Sequence, residues 1–226
     1  MAGAGRNDDP APATFYGYSR LPPPRIFSQP PPAYREVIEG QFLDFTLAAV
    51  GIGDEGVNEA AYIGMANKKS AVLVGAAVKV GGMISSVSLQ EEEYLWQYGL
   101  NLGLAYQLYD DLASLWGDPS RTGKYAHKDI IEKKKTLPIL YAASQSSAGI
   151  RARLREIYTT SDVTGEHIQE VLQILGEVEA YEYVWGKLQG FAHAAKKAAK
   201  ELSLGDERKD TLLAIVDALL PEIKKD

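Results

Sequence analysis

Eight of the chain's eleven prolines fall within the first 32 residues, among them Pro22-Pro23-Pro24 and Pro30-Pro31-Pro32. Proline fixes φ, lacks an N–H and restricts the residue before it, so this stretch cannot enter the interior of a helix or sheet. Residues 1–32 therefore read as an arm in polyproline II or disorder, and residues 33–226 as the folding unit. Beyond Ala33 only Pro119, Pro138 and Pro221 remain, and apolar residues recur at helical spacing. No strand-like alternation persists and no repeat period stands out, so the expected fold is all-α.

The predicted breaks lie at Gly51-Ile52-Gly53, Gly81-Gly82, residues 117–123 and residues 146–149. Ser88 followed by Glu91 forms a capping-box pattern that opens a long helix. Pro138 is expected to kink the helix in which it lies. Residues 160–164 mark another start, and Gly205-Asp206 precedes a last helix containing Leu212, Leu213, Val216 and Leu220.

The long helix carries the chemistry. Gln107, Asp110, Asp111 and Ser114 stand at i, i+3, i+4 and i+7, so one helix face presents an amide, two carboxylates and a hydroxyl. An Asp-Asp pair alone is ordinarily solvated surface. Here it belongs to an ordered series that continues through Gly123-Lys124, Asp129 and Lys134-Lys135-Thr136-Leu137-Pro138. Carboxylates among Leu, Tyr and Ala need a cation or donors to offset their charge. Magnesium, which takes oxygen ligands and bridges carboxylates to phosphate, suits them, and lysines suit the phosphate.

In this series the chain resembles the trans-isoprenyl diphosphate synthases, or polyprenyl synthetase family. Tyr106-Gln107-Leu108-Tyr109-Asp110-Asp111-Leu112-Ala113-Ser114 is similar to the family's second aspartate-rich motif, Phe-Gln-x-x-Asp-Asp-x-x-Asp. Residues 129–138 resemble its Asp-x-x-x-Gly-Lys-x-Thr-x-Pro. Upstream, Gly40-Gln41-Phe42-Leu43-Asp44 resembles its Gly-Gln-x-x-Asp helix, and Lys69-Ser70 stands where the family usually has Lys-Thr. The resemblance runs from about Tyr34 to the C-terminus. It implies an isoprenoid-synthase-type helical bundle lacking its N-terminal part, with magnesium on Asp110 and Asp111. The diphosphate of an allylic substrate would be held by Lys69, Lys124 and Lys134, with Gln107 lining the same pocket. Lys69, Gln107, Asp110 and Asp111 are then the catalytic set.

Departures from the family pattern are equally specific. Ser114 replaces the third acid with a neutral ligand. The first Asp-Asp-x-x-Asp motif has no counterpart, since Asp8-Asp9 is followed by Pro10 and Pro12. The paired arginines and the early Gly-Lys-x-x-Arg segment used for isopentenyl diphosphate are also missing.

Three functions follow from the resemblance. The first is a prenyltransferase, or a subunit of one, condensing an allylic diphosphate with isopentenyl diphosphate. The second is a terpene-cyclase-like enzyme in which Trp96, Tyr106, Tyr109 or Trp116 would face a carbocation. The third is a non-catalytic subunit of a heteromeric synthase. Helices missing from the bundle would leave an apolar face, which implies homo- or hetero-oligomers.

Other classes are excluded or weakened. With no cysteine there is no disulfide, thiolate metal site or cysteine nucleophile. A net charge of −6 argues against nucleic acid. The most apolar run, residues 70–84, contains Lys79 and is shorter than the roughly 20 residues of a membrane span. A cytoplasmic location is expected, with no signal segment visible. His127, His167 and His193 are too dispersed for a zinc motif and read as surface or capping residues, while Lys196, Lys197 and Lys200 read as a solvated helix face.

Overall fold

The computed structural model describes residues 33–118, 127–221 and 223. The expected arm and the Gly123-Lys124 pair lie outside the described residues. The described chain is helical: α1 (Ala33–Ala49), α2 (Glu59–Ala66), a π-helical turn (Asn67–Ala71), α3 (Val72–Ile84), α4 (Leu89–Trp116), α5 (Lys128–Ile131), α6 (Leu137–Gln145), α7 (Ala148–Thr159), α8 (Gly165–Glu177), α9 (Ala180–Lys200) and α10 (Asp206–Leu219).

Helix α4, 28 residues long and so about 42 Å from end to end, is the axis of the molecule. Its start is the expected capping box: Ser88 Oγ accepts from the Glu91 N–H while the Glu91 carboxylate accepts from the Ser88 N–H. α3 and the π turn before it pack along one side because small residues let the backbones meet. A Cβ on Gly99 would lie 2.6 Å from the Cα of Gly75, and one on Gly103 the same distance from the Cα of Ala71. On the other side Leu108 and Leu112 are fully buried with Val184 and Leu188 of α9. Leu115 enters a second core with Ile130, Ile139, Leu154, Ile157 and Leu175. Each such side chain contributes about 2 kcal/mol of apolar burial, which fixes the position of α4 and everything it carries.

Two expectations are corrected. α3 passes through Gly81-Gly82 unbroken to Ile84, since Gly82 faces Leu95 of α4, whose Cδ1 a Cβ there would meet at 2.3 Å. Pro138 kinks nothing. It sits in the first turn of α6, where a missing N–H costs no helical bond. Thr164 caps α8 reciprocally with His167, the capping role foreseen for that histidine, and Gly205 precedes α10 as expected. Lys197 and Lys200 are exposed, whereas Lys196 pairs with Asp217 at 2.5 Å.

α1 lies across the π turn. A Cβ on its Gly40 would come within 2.2 Å of the Lys69 backbone nitrogen, so only glycine permits this approach. The outer face of α1 carries Tyr34, Ile38, Phe42 and Phe45, each more than 60% exposed.

Candidate active site

Five elements and one connecting segment converge on a cleft of about 230 Å³. α1 supplies Asp44, Leu47 and Ala48; α2 and the π turn supply Tyr62, Met65 and Lys69; α4 supplies Gln107, Asp110 and Asp111. Asp129 of α5 and the segment Lys134-Lys135-Thr136 close it. Of the residues expected to form the site, Lys69, Gln107, Asp110, Asp111 and Lys134 are therefore brought together. Lys124 lies outside the described residues.

Asp111 is the buried member of the acidic pair, 3% exposed. Tyr62 Oη donates to its Oδ2, as does the Leu137 N–H at 3.3 Å, and Gln107 Nε2 donates to Oδ1 at 3.3 Å. Gln107 in turn accepts from Ser70 Oγ at 2.7 Å. Burial pushes the Asp111 carboxyl up to about 7 against the opposing hydrogen bond from Tyr62, and the nearby charge of Asp129 adds to the rise. Burial likewise raises the Tyr62 hydroxyl well above its ordinary value, with the Asp111 charge reinforcing it. Asp111 thus ties α2, α4 and α6 together behind the cleft wall that its neighbour Asp110 also lines.

The lysines are held by carboxylates. Lys69 Nζ lies 2.5 Å from Asp44 Oδ2, and Lys134 Nζ 3.0 Å from both Asp129 and Glu132. Burial lowers the Lys134 pKa, but hydrogen bonds to Glu132 and Asp129 outweigh it and the net shift is upward. Ser114 is not at the cleft. It is 4% exposed, and its Oγ accepts from the Asp129 N–H at 3.2 Å while its carbonyl accepts from the His127 N–H. The hydroxyl at the motif's third acidic position therefore anchors Asp129.

Sequence reasoning gave no role to Asp44, Tyr62 or Lys135. For Tyr62 a signal was present, since it precedes Met65 at i+3 on one helix face. None of Trp96, Tyr106, Tyr109 and Trp116 lines the cleft. Tyr106 and Tyr109 stack on each other at 6.5 Å, and Trp116 packs edge-on to Tyr181 at 5.3 Å.

The carboxylates facing the cleft suit a hard cation, since their ligating atoms are oxygens and no histidine is among the described residues that line it. Among the described residues no three acidic or histidine side chains gather into a metal cluster. A cation here would depend on one or two carboxylates plus ligand and water oxygens, which is how magnesium commonly binds.

The helical bundle, with Asp110 and Asp111 of its central helix and lysines of two other segments lining one cleft, has the isoprenoid-synthase-type fold of the solved structures it superposes on. The chain belongs to the polyprenyl synthetase family, whose sequence pattern matches residues 20–175. It is 32% identical over 186 residues to the short chain isoprenyl diphosphate synthase of Methanothermobacter thermautotrophicus, covering 82% of this chain and 55% of that protein. A crystal structure of geranylgeranyl pyrophosphate synthase superposes with a TM-score of 0.75 at 30% identity, over 87% of this chain and 59% of the other. The geranylgeranyl pyrophosphate synthase of Corynebacterium glutamicum, complexed with isoprenyl diphosphate and magnesium, superposes with a TM-score of 0.73 at 26% identity, over 83% and 54%. The chain spans about half the length of the curated relatives it matches.

Proposed function

We propose that this chain acts as a prenyltransferase of isoprenoid biosynthesis, or as a subunit of one, joining an allylic diphosphate to isopentenyl diphosphate. The observation that carries this reading is the cleft in which Lys69 and Lys134 face Asp110 and Asp111. Lys69, Lys134 and, by motif position, Lys124 would hold the oxygens of the allylic diphosphate. Asp110 and Asp111 would hold magnesium, Asp110 at the cleft wall and Asp111 with the lone pairs its hydrogen bonds leave. The metal supplies positive charge that offsets charge building on the leaving diphosphate. The lysines do the same without reorganising, because Asp44, Asp129 and Glu132 already hold them in place. Gln107, fixed by Ser70 and Asp111, orients the cleft wall.

The cyclase alternative has less support, since the aromatic residues it would use pack away from the cleft. Association with a second copy or a partner subunit belongs to the proposal, supported by the apolar outer row of α1, and sedimentation equilibrium tests it. A cytoplasmic location is likewise proposed. No helix among the described residues is long and apolar enough to cross a membrane.

The deciding experiment is product analysis by mass spectrometry after incubation with magnesium, an allylic diphosphate and labelled isopentenyl diphosphate. Label in a longer prenyl diphosphate is the expected result. An unlabelled hydrocarbon or alcohol would mean a cyclase, and untouched substrate would mean a chain inactive without a partner.

A further inference from the structure

We propose that Lys135 is a third described cation of this cleft, a diphosphate-contacting residue beyond Lys69 and Lys134; the inference rests on the reading of the cleft given above. Lys135 is the middle residue of Lys134-Lys135-Thr136, to which the motif assigns no role. It lines the cleft and is 9% exposed. Its Nζ donates to the Ala48 carbonyl at 2.7 Å. Among the described residues it has no carboxylate within ion-pair distance, in contrast to Lys69 and Lys134.

An ammonium carries three donors, and burying one against a single neutral acceptor leaves most of its hydration unreplaced. Ala48 lies in the last turn of α1, so its carbonyl belongs to the partly negative helix end. A lysine that only caps a helix end usually keeps its head group in water, which meets the remaining donors. Lys135 is 9% exposed and lines the cleft, so its remaining donors are met by whatever occupies that cleft, water or anion. Among the described residues the charge that favours its ammonium form is Asp54, which is itself engaged by Arg155 at 2.6 Å and by the Gly51 N–H. Burial accordingly lowers the Lys135 pKa. An incompletely satisfied cation on the wall of a cleft that already presents two lysines is matched by an oxyanion. A diphosphate would meet its free donors and could also draw the amine from Ala48.

The probe is inorganic pyrophosphate with magnesium, titrated calorimetrically into the full chain. Lys135→Met keeps the length and apolar stem of the side chain but removes the charge. It should weaken pyrophosphate binding about tenfold or more, the scale of a lost charge-assisted hydrogen bond. Lys135→Arg should restore most of the affinity. The Met variant's deficit should also shrink as salt rises from low to physiological strength, which a purely structural tether to Ala48 would not produce. A measurement without substitution covers failure of Lys135→Met to fold: the Lys135 side-chain nitrogen resonance in lysine-labelled protein should move on pyrophosphate addition. Unchanged affinity in folded Lys135→Met, or an unmoved resonance at saturating pyrophosphate, overturns the role of Lys135 alone. Failure of the unsubstituted chain to bind pyrophosphate overturns the reading of the cleft and this role with it.

Discussion

Tyr62 and Asp111, 49 residues apart in the chain, are joined by a hydrogen bond between two buried side chains. The phenol gives the carboxylate its one hydroxyl donor, and the bond locks α2 onto α4 at the back of the cleft. Tyr62→Phe keeps the ring and removes the donor, leaving Asp111 with only Gln107 and the Leu137 N–H. We expect a loss of about 1–3 kcal/mol in urea unfolding at pH 8, the cost of an unmet buried acceptor. Equal stability of the two proteins at that pH would show that the bond contributes nothing.

The same carboxyl sets a pH dependence in magnesium-free buffer. Its folded-state pKa is raised to about 7, against an ordinary 3.8. Between those values the folded chain binds a proton that the unfolded chain has released, so the native state loses ground as pH climbs. Relative to Asp111→Asn, which cannot titrate, the wild type should therefore lose about 2–4 kcal/mol between pH 4 and pH 7 and hold level above. Parallel stability profiles for the two proteins over that range would contradict a buried, titrating Asp111.

Gly40 tests how the site depends on α1. A methyl group there would collide with the backbone of Lys69, 2.2 Å from its nitrogen and 2.6 Å from its Cα. Neither contact is with a flexible side-chain end, so α1 or the π turn must shift. Gly40→Ala should cost about 1–3 kcal/mol and also weaken pyrophosphate binding, because Lys69 and its partner Asp44 sit on the two elements forced apart. Lower stability in thermal unfolding with unchanged affinity in calorimetry would separate the packing of α1 from the placement of Lys69.

What the sequence disclosed and what it withheld divide along local and tertiary lines. The Ser88–Glu91 box, the helix start at residues 160–164 and the co-facial Gln107, Asp110 and Asp111 depend on spacings of a few residues, and each appears as expected. The partners of those groups depend on which helices meet. Nothing near Asp111 in the chain announces Tyr62, and nothing near Lys69 announces that Asp44 will hold it. Gly81-Gly82 and Pro138 depart from expectation because a glycine pair admits close helix packing as readily as a break, and a proline opens a helix as readily as it bends one. The π turn carries no periodic signature at all, since it is a single-turn departure at the point where Gly40 presses on Lys69.

Ser114 offers the sharpest contrast between motif and structure. Replacing it with the acid of the family pattern, Ser114→Asp, looks like a repair of the metal site. The geometry predicts the opposite. Ser114 does not line the cleft, is 4% exposed, and uses its hydroxyl to hold the Asp129 N–H. An aspartate there would bury a further charge near Asp129, and only one backbone donor would be available to offset it. We expect a loss of about 2–4 kcal/mol in chemical unfolding and no tighter binding of pyrophosphate with magnesium. Affinity should fall, because a displaced Asp129 no longer holds Lys134. The milder Ser114→Ala, which only orphans one N–H, should cost about 1 kcal/mol. Tighter magnesium-dependent pyrophosphate binding by Ser114→Asp would instead show that this position reaches the cleft when ligand is present.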